Sequence, residues 1–187
     1  MAKPIPARVA PAVLARAKTI RILLMDVDGV LTDGRIWLQS YPDGTAGELK
    51  AFSAYDGAGL KMAHAAGIRT GLITGRESAA VTQRARECSF EFVYQGSAVK
   101  IAAYEEILRH AQVRDSEVAY IADDLPDLHV LARVGLGVAV ANAAQEVKHA
   151  SHYVTSRSGG EGAVREVIEI ILKAQGKWDQ AVNHATA

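Results

Sequence analysis

The sequence predicts an α/β fold in which helices cover both faces of a mostly parallel sheet and a small β-hairpin is inserted after the first strand. The first observation behind this prediction is that short apolar runs alternate with helical segments along most of the chain. Such alternation is typical of a parallel sheet, because parallel neighbours need a crossover connection. The second is a turn sequence with Pro42 and Asp43-Gly44, which interrupts the alternation early. The third is an ordinary globular composition, since 49% of the 187 residues are hydrophobic and 22% are charged.

Each element follows from a local pattern. The run IRILLMDV at 20–27 is typical of a strand that is buried on both faces. The segments RIWLQS and GELKAFS flank the turn and predict a hairpin insertion at 35–53, which is too small to be a large cap domain. Asp33 and Gly34 are interpreted as a turn into the hairpin, and Ser97 as a helix cap. The remaining pattern predicts helices at 56–67, 77–88, 97–112, 126–135, 144–150 and 161–176, and strands at 68–74, 90–95, 117–123, 136–141 and 152–156.

The predicted organisation is a single domain at 20–176 between two flanking segments. Residues 1–19 are predicted to form an N-terminal extension, and the basic residues scattered through them do not fit a signal peptide. Residues 177–187 are predicted to form a flexible C-terminal tail. The longest apolar runs fall far short of the roughly 20 residues that span a membrane. We therefore expect a cytoplasmic protein without a membrane partner.

Charge and cysteine content exclude several classes of function. The chain has 21 Lys and Arg residues and 21 Asp and Glu residues, so its formal net charge is zero and nucleic acid is not an expected partner. The single cysteine, Cys88, rules out an intramolecular disulfide and does not fit a cysteine-based zinc site, and we interpret it as a packing residue. His64, His129 and the other histidines lack a paired spacing and are interpreted as structural.

The residues that could carry chemistry follow the predicted strands. In an open α/β sheet, ligands bind beyond the carboxyl ends of the strands, so residues that follow different strands meet at one edge. Carboxylates that meet there repel one another unless a cation separates them, and a set of oxygen ligands favours Mg²⁺. The candidates are Asp26 and Asp28 after the first strand, Thr74, Gly75 and Arg76 after the strand at 68–74, Lys100 in the helix at 97–112, and Asp123, Asp124 and Asp127 after the strand at 117–123.

The basic and polar candidates suit an anion. Thr74 and Gly75 lie between a strand and a helix, where a hydroxyl and free backbone N–H groups can bind phosphate. Lys100 adds a point charge of the kind that phosphate sites use. Carboxylates, Mg²⁺ and an anion site together are the equipment of phosphoryl transfer.

Each motif by itself also has an ordinary structural interpretation. An isolated DxD or TGR segment can be a turn or a cap, and a helix lysine such as Lys100 is most often solvated. ADDLPD can be a helix N-terminus with capping acids. The conjunction of four segments at the same end of one sheet favours the chemical interpretation.

The order DxDGVLTDG, ITGR, Lys and DDxxD resembles the haloacid dehalogenase (HAD) superfamily of aspartate-nucleophile phosphatases. The segments DVDGVLTDG, LITGRES, VYQGSAVKIAAYEEIL, IADDLPDL and SGGEGAVREVIEIILKAQGKW more closely resemble the 3-deoxy-D-manno-octulosonate 8-phosphate (KDO 8-phosphate) phosphatases, and the resemblance covers roughly residues 20–178. It implies a HAD-like Rossmannoid three-layer sandwich without a large cap domain. It also implies a phosphoric monoester hydrolase that uses Mg²⁺ to release phosphate from KDO 8-phosphate in lipopolysaccharide precursor biosynthesis.

The resemblance implies roles for the acidic residues. Asp26 matches the nucleophile that forms a phosphoaspartyl intermediate, and Asp28 matches the general acid/base. Asp26, Asp123 and the backbone carbonyl of Asp28 match the metal ligands. Asp124 and Asp127 are implied to be ligands through water or supports of the site.

The resemblance assigns the polar residues to catalysis and substrate binding. Thr74 and Lys100 match residues that serve both, and Gly75 completes the phosphate loop. Arg76 follows that loop directly and is a candidate to contact the carboxylate or the phosphate of a phosphorylated sugar acid. Arg165 is a weaker candidate, because it could equally be a solvated helix arginine.

Assembly is also implied by the resemblance, which suggests a homotetramer whose hairpins associate. Gly159, Gly160 and Arg165 would then lie near a substrate. Two residues depart from the family pattern, Ala122 in place of a glycine and Val99 in place of an acidic residue. A methyl group at Ala122 should fit if the backbone φ is negative, and Val99 has no physical explanation.

Two alternative functions remain open. The same chemistry could act on a related keto-deoxy sugar acid such as 2-keto-3-deoxynonulosonate 9-phosphate, because sequence cannot separate sugars that differ by one carbon. The chain could instead be a non-catalytic HAD-like module for assembly or regulation, although it retains all four motifs.

Overall fold

A parallel six-stranded sheet forms the centre of the protein in the computed structural model, which describes residues 9–186. The strands are β1 (Ile22–Met25), β2 (Trp37–Ser40), β3 (Ala46–Leu49), β4 (Arg69–Ile73), β5 (Phe92–Tyr94), β6 (Val118–Ala122), β7 (Leu136–Ala139) and β8 (Tyr153–Val154). Six of them pair in the order β5–β4–β1–β6–β7–β8, and β2 and β3 form a separate antiparallel hairpin.

Helices cover both faces of this sheet. They are α1 (Pro11–Ala17), α2 (Ala54–Ala65), α3 (Ala79–Glu87), α4 (Lys100–Ala111), α5 (Leu128–Leu131), α6 (Gln145–Ala150), α7 (Ala163–Ala174) and α8 (Trp178–Thr186). On one face α2 packs against α7 and α8, and α1 packs against α7, while α4, α5 and α6 follow one another in the other layer. The predicted three-layer sandwich with a mostly parallel sheet is therefore confirmed.

The central strand β1 positions the first site residues. All four of its side chains are buried, in agreement with the uninterrupted apolar run, and each such burial stabilises the fold by about 1.5–3 kcal/mol. It pairs with β4 on one side and with β6 on the other. The backbone N–H of Asp26 continues the ladder by donating to the Ile121 carbonyl at 3.0 Å. The segments that follow β1, β4 and β6 consequently leave the sheet side by side, as predicted.

The hairpin stands apart from the six-stranded sheet. Trp37 lies opposite Leu49 across its two strands, and the carboxylate of Asp43 accepts hydrogen bonds from the amide and hydroxyl of Thr45 in the turn. Trp37, Leu38 and Leu49 are more than half exposed. An isolated two-stranded sheet with exposed apolar side chains is marginally stable by itself. The predicted small insertion is confirmed, and so is the absence of a large cap domain within residues 9–186.

Asp33 and Gly34 form the turn that the sequence predicts before the hairpin. Asp33 accepts a hydrogen bond from the Arg35 amide at 3.0 Å, and Gly34 has a positive φ of 82°. Asp33 is therefore a turn residue, and its carboxylate is engaged locally.

The predicted flexible tail is wrong for residues 178–186, which form α8. Ala181 is buried, and the Trp178 ring lies 5.6 Å from the guanidinium carbon of Arg165 and 4.7 Å from the Lys173 ammonium. The helix is stabilised because its apolar face packs against α2 and α7. Trp178, Ala181 and Val182 have the spacing of apolar residues on one face of a helix, which is the sequence pattern that indicates α8. The prediction of a flexible tail followed instead from the general rule that chain ends fray.

The predicted N-terminal extension is partly built into the core. Val13 and Ala17 of α1 are buried, and the Gln175 side-chain amide donates to the carbonyls of Ala17 and Ile20 at 3.1 and 2.7 Å. Residues 1–8 of that extension lie outside the described residues. Among residues 9–186, no helix has the length and apolarity that crossing a bilayer requires.

Two helix boundaries differ from the predictions. Ser97 does not cap α4, which begins at Lys100. The backbone N–H of Ser97 donates to the Thr74 carbonyl at 3.0 Å instead. The helix predicted at 126–135 is reduced to a 3₁₀ turn (Leu125–Asp127) followed by α5. It ends early because the Gly135 N–H donates to the Asp115 carbonyl at 2.7 Å and directs the chain into β7.

Candidate active site

An open cleft of about 430 Å³ lies at the carboxyl edge of the sheet. The segments that follow β1, β4 and β6 form its walls, together with the start of α4. Apart from Asp127, which lies behind this surface, all the residues that the sequence placed after the strands reach the cleft. It is lined by Asp26, Asp28, Gly34, Thr74, Gly75, Arg76, Ser97, Ala98, Lys100, Asp123, Asp124 and Pro126.

Asp26, Asp123 and Asp127 form an acidic cluster at the base of the cleft. One oxygen of each lies within 4.8 Å of the others. Asp26 Oδ1, Asp123 Oδ1 and Asp127 Oδ2 are buried and have no hydrogen-bond partner among the described residues. Three crowded oxygens without donors leave a strongly negative position, which suits a hard divalent cation with oxygen ligands. The donor set therefore fits Mg²⁺.

Burial and mutual repulsion disfavour the ionised forms of these carboxyl groups in the metal-free chain. Burial raises the pKa of Asp26 to about 6, against the opposing effect of the Lys100 ammonium. Burial, reinforced by the charges of Asp26 and Asp127, raises the pKa of Asp123 to about 7. A bound cation would favour the ionised forms and offset this repulsion.

Gly29 allows Asp123 to approach the loop after β1. Its φ is +90°, a conformation that L side chains rarely adopt, and a β carbon there would collide with the Asp123 carboxylate. The glycine of the DxDGV motif is therefore required for steric reasons.

Lys100 is the buried cation beside the acidic cluster. It is the first residue of α4, and its ammonium lies 2.9 Å from Asp26 Oδ2 and 2.7 Å from Asp127 Oδ1. Although burial opposes its charge, these two carboxylates hold the pKa of Lys100 above the ordinary lysine value. The interpretation of Lys100 as a solvated helix lysine is therefore wrong.

Tyr120 is a site residue that the sequence reasoning missed. Its hydroxyl donates to Asp127 Oδ1 at 2.6 Å, and its side chain is fully buried within β6. Asp127 consequently binds Tyr120 and Lys100 through the same oxygen, and its other oxygen has no hydrogen-bond partner among the described residues. The strand pattern predicted only that Tyr120 is buried.

The carboxylate of Asp28 is not part of the acidic cluster. Its carboxylate accepts a hydrogen bond from the Lys50 ammonium and lies 3.7 Å from Arg76 Nε. Within residues 9–186 the cluster takes its third carboxylate from Asp127, which the sequence had placed as a water-mediated ligand or support. The side chain of Asp28 is thus not among the clustered oxygens, and metal binding through its backbone carbonyl stays a prediction.

Glu48 and Lys50 of the hairpin also belong to the site, although the sequence reasoning assigned them only to a strand. Lys50 Nζ lies 2.9 Å from Glu48 Oε1, and Arg76 donates to Glu48 Oε2 at 2.7 Å. The hydrogen bonds from Lys50 and Arg76 lower the pKa of Glu48 to about 2. The spacing of Glu48 and Lys50 places both on one face of an extended chain, and this was the available signal.

The segment after β4 provides the polar wall. Thr74 is buried and its N–H donates to the Tyr94 carbonyl at 2.9 Å, so the loop starts from a fixed position. Arg76 is about half exposed and can reach a ligand in the cleft.

Asp124 serves as a cap, because its carboxylate accepts from the Leu125 amide at 2.8 Å. The capping interpretation of the ADDLPD segment is therefore correct for Asp124.

Gly159 and Gly160 pack directly against the loop after β1. A β carbon at Gly159 would collide with the Gly29 carbonyl, and the Gly160 N–H donates to the Val30 carbonyl at 3.0 Å. Arg165 donates to Glu169 at 3.0 Å and does not line the described cleft. Proximity of these residues to a substrate in a neighbouring subunit stays a prediction.

The two departures from the family pattern have different outcomes. Ala122 is buried in β6 and is not among the described residues with positive φ, so its methyl group fits as expected. Val99 is 66% exposed beside the start of α4, and nothing in the structure explains it. Cys88 is buried, and His64 hydrogen-bonds with Thr70 Oγ1 at 2.7 Å outside the cleft, in keeping with packing roles.

The chain is similar to known hydrolases in sequence. Residues 87–168 match the family model of haloacid dehalogenase-like hydrolases. A curated 3-deoxy-D-manno-octulosonate 8-phosphate phosphatase from Yersinia pestis is 45% identical over 173 residues, which are 92% of this chain and 90% of the relative. The phosphatase of the same name from Salmonella typhimurium is 42% identical over the same shares of the two chains.

Solved structures agree with the sequence comparison. The Yersinia pestis phosphatase has a TM-score of 0.87 at 44% identity, over 91% of this chain and 90% of that chain. The 3-deoxy-D-manno-octulosonate 8-phosphate phosphatase from Moraxella catarrhalis has a TM-score of 0.86 at 41% identity, over 92% of this chain and 97% of that chain. That structure is a complex with a magnesium ion, a phosphate ion and a KDO molecule.

Proposed function

The chain belongs to the 3-deoxy-D-manno-octulosonate 8-phosphate phosphatases, within the haloacid dehalogenase-like hydrolases, and from this premise we propose that it works through a phosphoaspartyl intermediate on Asp26. It hydrolyses KDO 8-phosphate to KDO and inorganic phosphate, with Mg²⁺ as its cofactor. The observation that supports the proposed mechanism best is the cluster of Asp26, Asp123 and Asp127 beside the Lys100 ammonium.

Asp26, Asp123 and Asp127 would hold the metal, together with the backbone carbonyl of Asp28. Each of the three carboxylates has an oxygen without a hydrogen-bond partner among residues 9–186, so the residues present suit this cation. When bound, Mg²⁺ supplies positive charge that offsets the charge of the carboxylates and of the phosphoryl group.

In the first step, a carboxylate oxygen of Asp26 attacks the phosphorus atom of the substrate. The bond between phosphorus and the sugar oxygen breaks as the new bond to Asp26 forms, and the sugar oxygen takes a proton from Asp28. Lys100 lies beside Asp26 and keeps the nucleophile in one orientation while its charge faces the phosphoryl oxygens.

In the second step, water attacks the phosphorus atom of the phosphoaspartyl group. Asp28 accepts a proton from that water, the bond between Asp26 and phosphorus breaks, and inorganic phosphate leaves. Asp28 then carries the proton that the next leaving group needs, and Asp26 is again a free carboxylate. The net reaction consumes one phosphate ester and one water molecule.

Thr74, Gly75 and Lys100 are proposed to bind the phosphate group. The buried Thr74 offers a hydroxyl, and the loop after it offers backbone N–H groups. Arg76 is proposed to contact the carboxylate or phosphate of the sugar acid, because its half-exposed guanidinium lines the same cleft.

A homotetramer is the assembly that we propose, with contacts through the hairpin. The support is the exposure of Trp37, Leu38 and Leu49 on a two-stranded sheet, since such apolar surface favours a protein contact. Light scattering should report a tetramer for the wild type and a smaller species for Leu38→Glu. A wild-type monomer would contradict the proposal.

The cytoplasmic location stays a prediction, which cell fractionation would test.

Phosphate release from KDO 8-phosphate tests the proposed mechanism. Activity should require Mg²⁺, vanish with EDTA and return when Mg²⁺ is added. Asp26→Asn should be inactive with its thermal stability retained, and a fully active Asp26→Asn would rule out the covalent intermediate.

Comparing kcat/KM for KDO 8-phosphate and 2-keto-3-deoxynonulosonate 9-phosphate decides between the two sugar acids. Absence of turnover on any phosphorylated sugar, with assembly intact, would favour a non-catalytic module.

A further inference from the structure

We infer that Lys50, at the end of the hairpin, is a positioning residue that holds the Asp28 carboxylate in the cleft and away from the acidic cluster. The inference rests on the proposed function, because the acid/base role of Asp28 belongs to that proposal. It gives the hairpin a part in the chemistry of its own chain, in addition to any part in assembly.

The burial of Lys50 is the first observation. Its side chain has no exposed surface, although most of the hairpin that precedes it is exposed. Burying an ammonium group is costly unless carboxylates compensate its charge. Lys50 has two such partners, Asp28 and Glu48, and the Glu48 oxygen lies 2.9 Å away. The structure therefore fixes this lysine at one position between the hairpin and the loop after β1.

Arg76 is the second cation near Asp28, and it differs from Lys50 in exposure. Its guanidinium lies 3.7 Å from Asp28 and 2.7 Å from Glu48, with 46% of the side chain exposed. An exposed arginine can turn toward a ligand in the cleft at little cost, whereas a lysine whose side chain has no exposed surface cannot. Lys50 thus remains as the partner of Asp28 when Arg76 engages a substrate.

The nearby acidic cluster explains why Asp28 needs such a partner. Asp28 is two residues from Asp26, whose carboxylate is in the cluster with Asp123 and Asp127. A carboxylate with no partner of its own could rotate toward a cation bound there. Its oxygens would then be engaged as metal ligands and could not exchange a proton with the sugar oxygen or with water. The ion pair to Lys50 prevents this rotation.

The leaving group of the substrate provides the test. A sugar oxygen needs a proton as it leaves, whereas p-nitrophenolate leaves as an anion. In Lys50→Met, kcat for KDO 8-phosphate should fall about 10²-fold, with KM little changed, because proton transfer loses its positioned carboxylate. The single-turnover release of p-nitrophenol from p-nitrophenyl phosphate should stay close to the wild-type rate. Lys61→Met, an exposed lysine on α2, is the matched control and should behave like the wild type with both substrates.

Several outcomes would overturn the inference. Equal slowing of both reactions would mean that Lys50→Met disturbs the whole site, and normal rates with both would mean that Asp28 needs no partner. Lys50→Gln, which keeps a donor in the buried position, should show the same split with a smaller loss. If neither variant folds, Lys50 stabilises the hairpin and positioning is not its role. Failure of the proposed function is distinct, because the wild type itself would then leave KDO 8-phosphate intact, and the inference would fall with it.

Discussion

Replacing Gly160 with alanine should slow catalysis, although Gly160 does not line the cleft. Gly160 packs against the loop after β1, and its N–H donates to the Val30 carbonyl. A β carbon at this position would lie 2.7 Å from the Asp33 nitrogen and 2.8 Å from the Thr32 carbonyl carbon. Both neighbours are backbone atoms, so neither can move aside as a flexible side chain would.

The size of the effect follows from these distances. Ordinary contact begins at 3.4 Å, so the Thr32–Asp33 backbone must move by about 0.7 Å. Thr32 links this backbone to the rest of the loop after β1, because its hydroxyl accepts from the Gly29 and Gly34 amides at 3.3 and 3.2 Å. A misplacement of about 1 Å can cost about 10²-fold in rate, and we expect kcat to fall about tenfold. Overpacking and the positive φ should together lower the free energy of unfolding by about 2–6 kcal/mol.

Gly176→Ala is the matched control for this substitution. Gly176 has a φ of +69°, close to the +71° of Gly160, but a β carbon there meets nothing within 4 Å. It should lose only the conformational part of the stability, about 1–3 kcal/mol, and keep its full kcat. Urea denaturation and steady-state phosphate release on both variants measure the two effects. A Gly160→Ala enzyme with wild-type kcat would refute the idea that this glycine sets the position of the loop after β1.

Three further predictions concern other buried groups. Burial raises the pKa of Asp123 to about 7, so the folded metal-free chain binds more protons than the unfolded chain between about pH 4 and pH 7, and its stability contribution falls as the pH rises. Thermal unfolding in EDTA should show this fall in the wild type and less of it in Asp123→Asn, while added Mg²⁺ should stabilise the wild type more at pH 8 than at pH 5; equal pH profiles would contradict this. Tyr120→Phe removes the hydroxyl that donates to Asp127 and should lower the unfolding free energy by about 1.5–3 kcal/mol in urea denaturation, whereas unchanged stability would show that the bond contributes nothing. Asp56 accepts a hydrogen bond from the Arg165 amide at 2.7 Å in the first turn of α7, so Asp56→Ala should cost about 0.5–2 kcal/mol with kcat retained, and a large loss of kcat would argue against a purely capping role.

The sheet and the motif residues after its strands could be predicted from sequence because both depend on local patterns and one topological rule. An uninterrupted apolar run identifies β1, and parallel strands end at the same edge, so Asp26 and Asp123 had to meet once β1 and β6 were neighbours. Which carboxylates form the acidic cluster could not be predicted from the sequence. This depends on side-chain directions, which bring Asp127 into the cluster and turn Asp28 toward Lys50.

The contribution of the hairpin could not be predicted, because it is made through tertiary packing. Alternation places Glu48 and Lys50 on one face of β3 and its extension, but it does not say what that face meets. Only the return of the hairpin toward the loop after β1 brings Lys50 to Asp28 and Glu48 to Arg76. The helix α8 was missed for a similar reason, since the surface that stabilises it belongs to α2 and α7.

The central position of β1 has a consequence for the order in which the parts of the protein fold during synthesis. Its neighbour β4 follows it by some forty residues, whereas β6 follows by almost one hundred, with β5 and α4 made in between. Until β6 arrives, β1 is an edge strand with unpaired backbone groups and the Asp26 carboxylate has neither Asp123 nor Asp127 beside it. During synthesis the proposed anion site around Thr74 can therefore form before the proposed cation site, which is complete only after β6 has paired with β1.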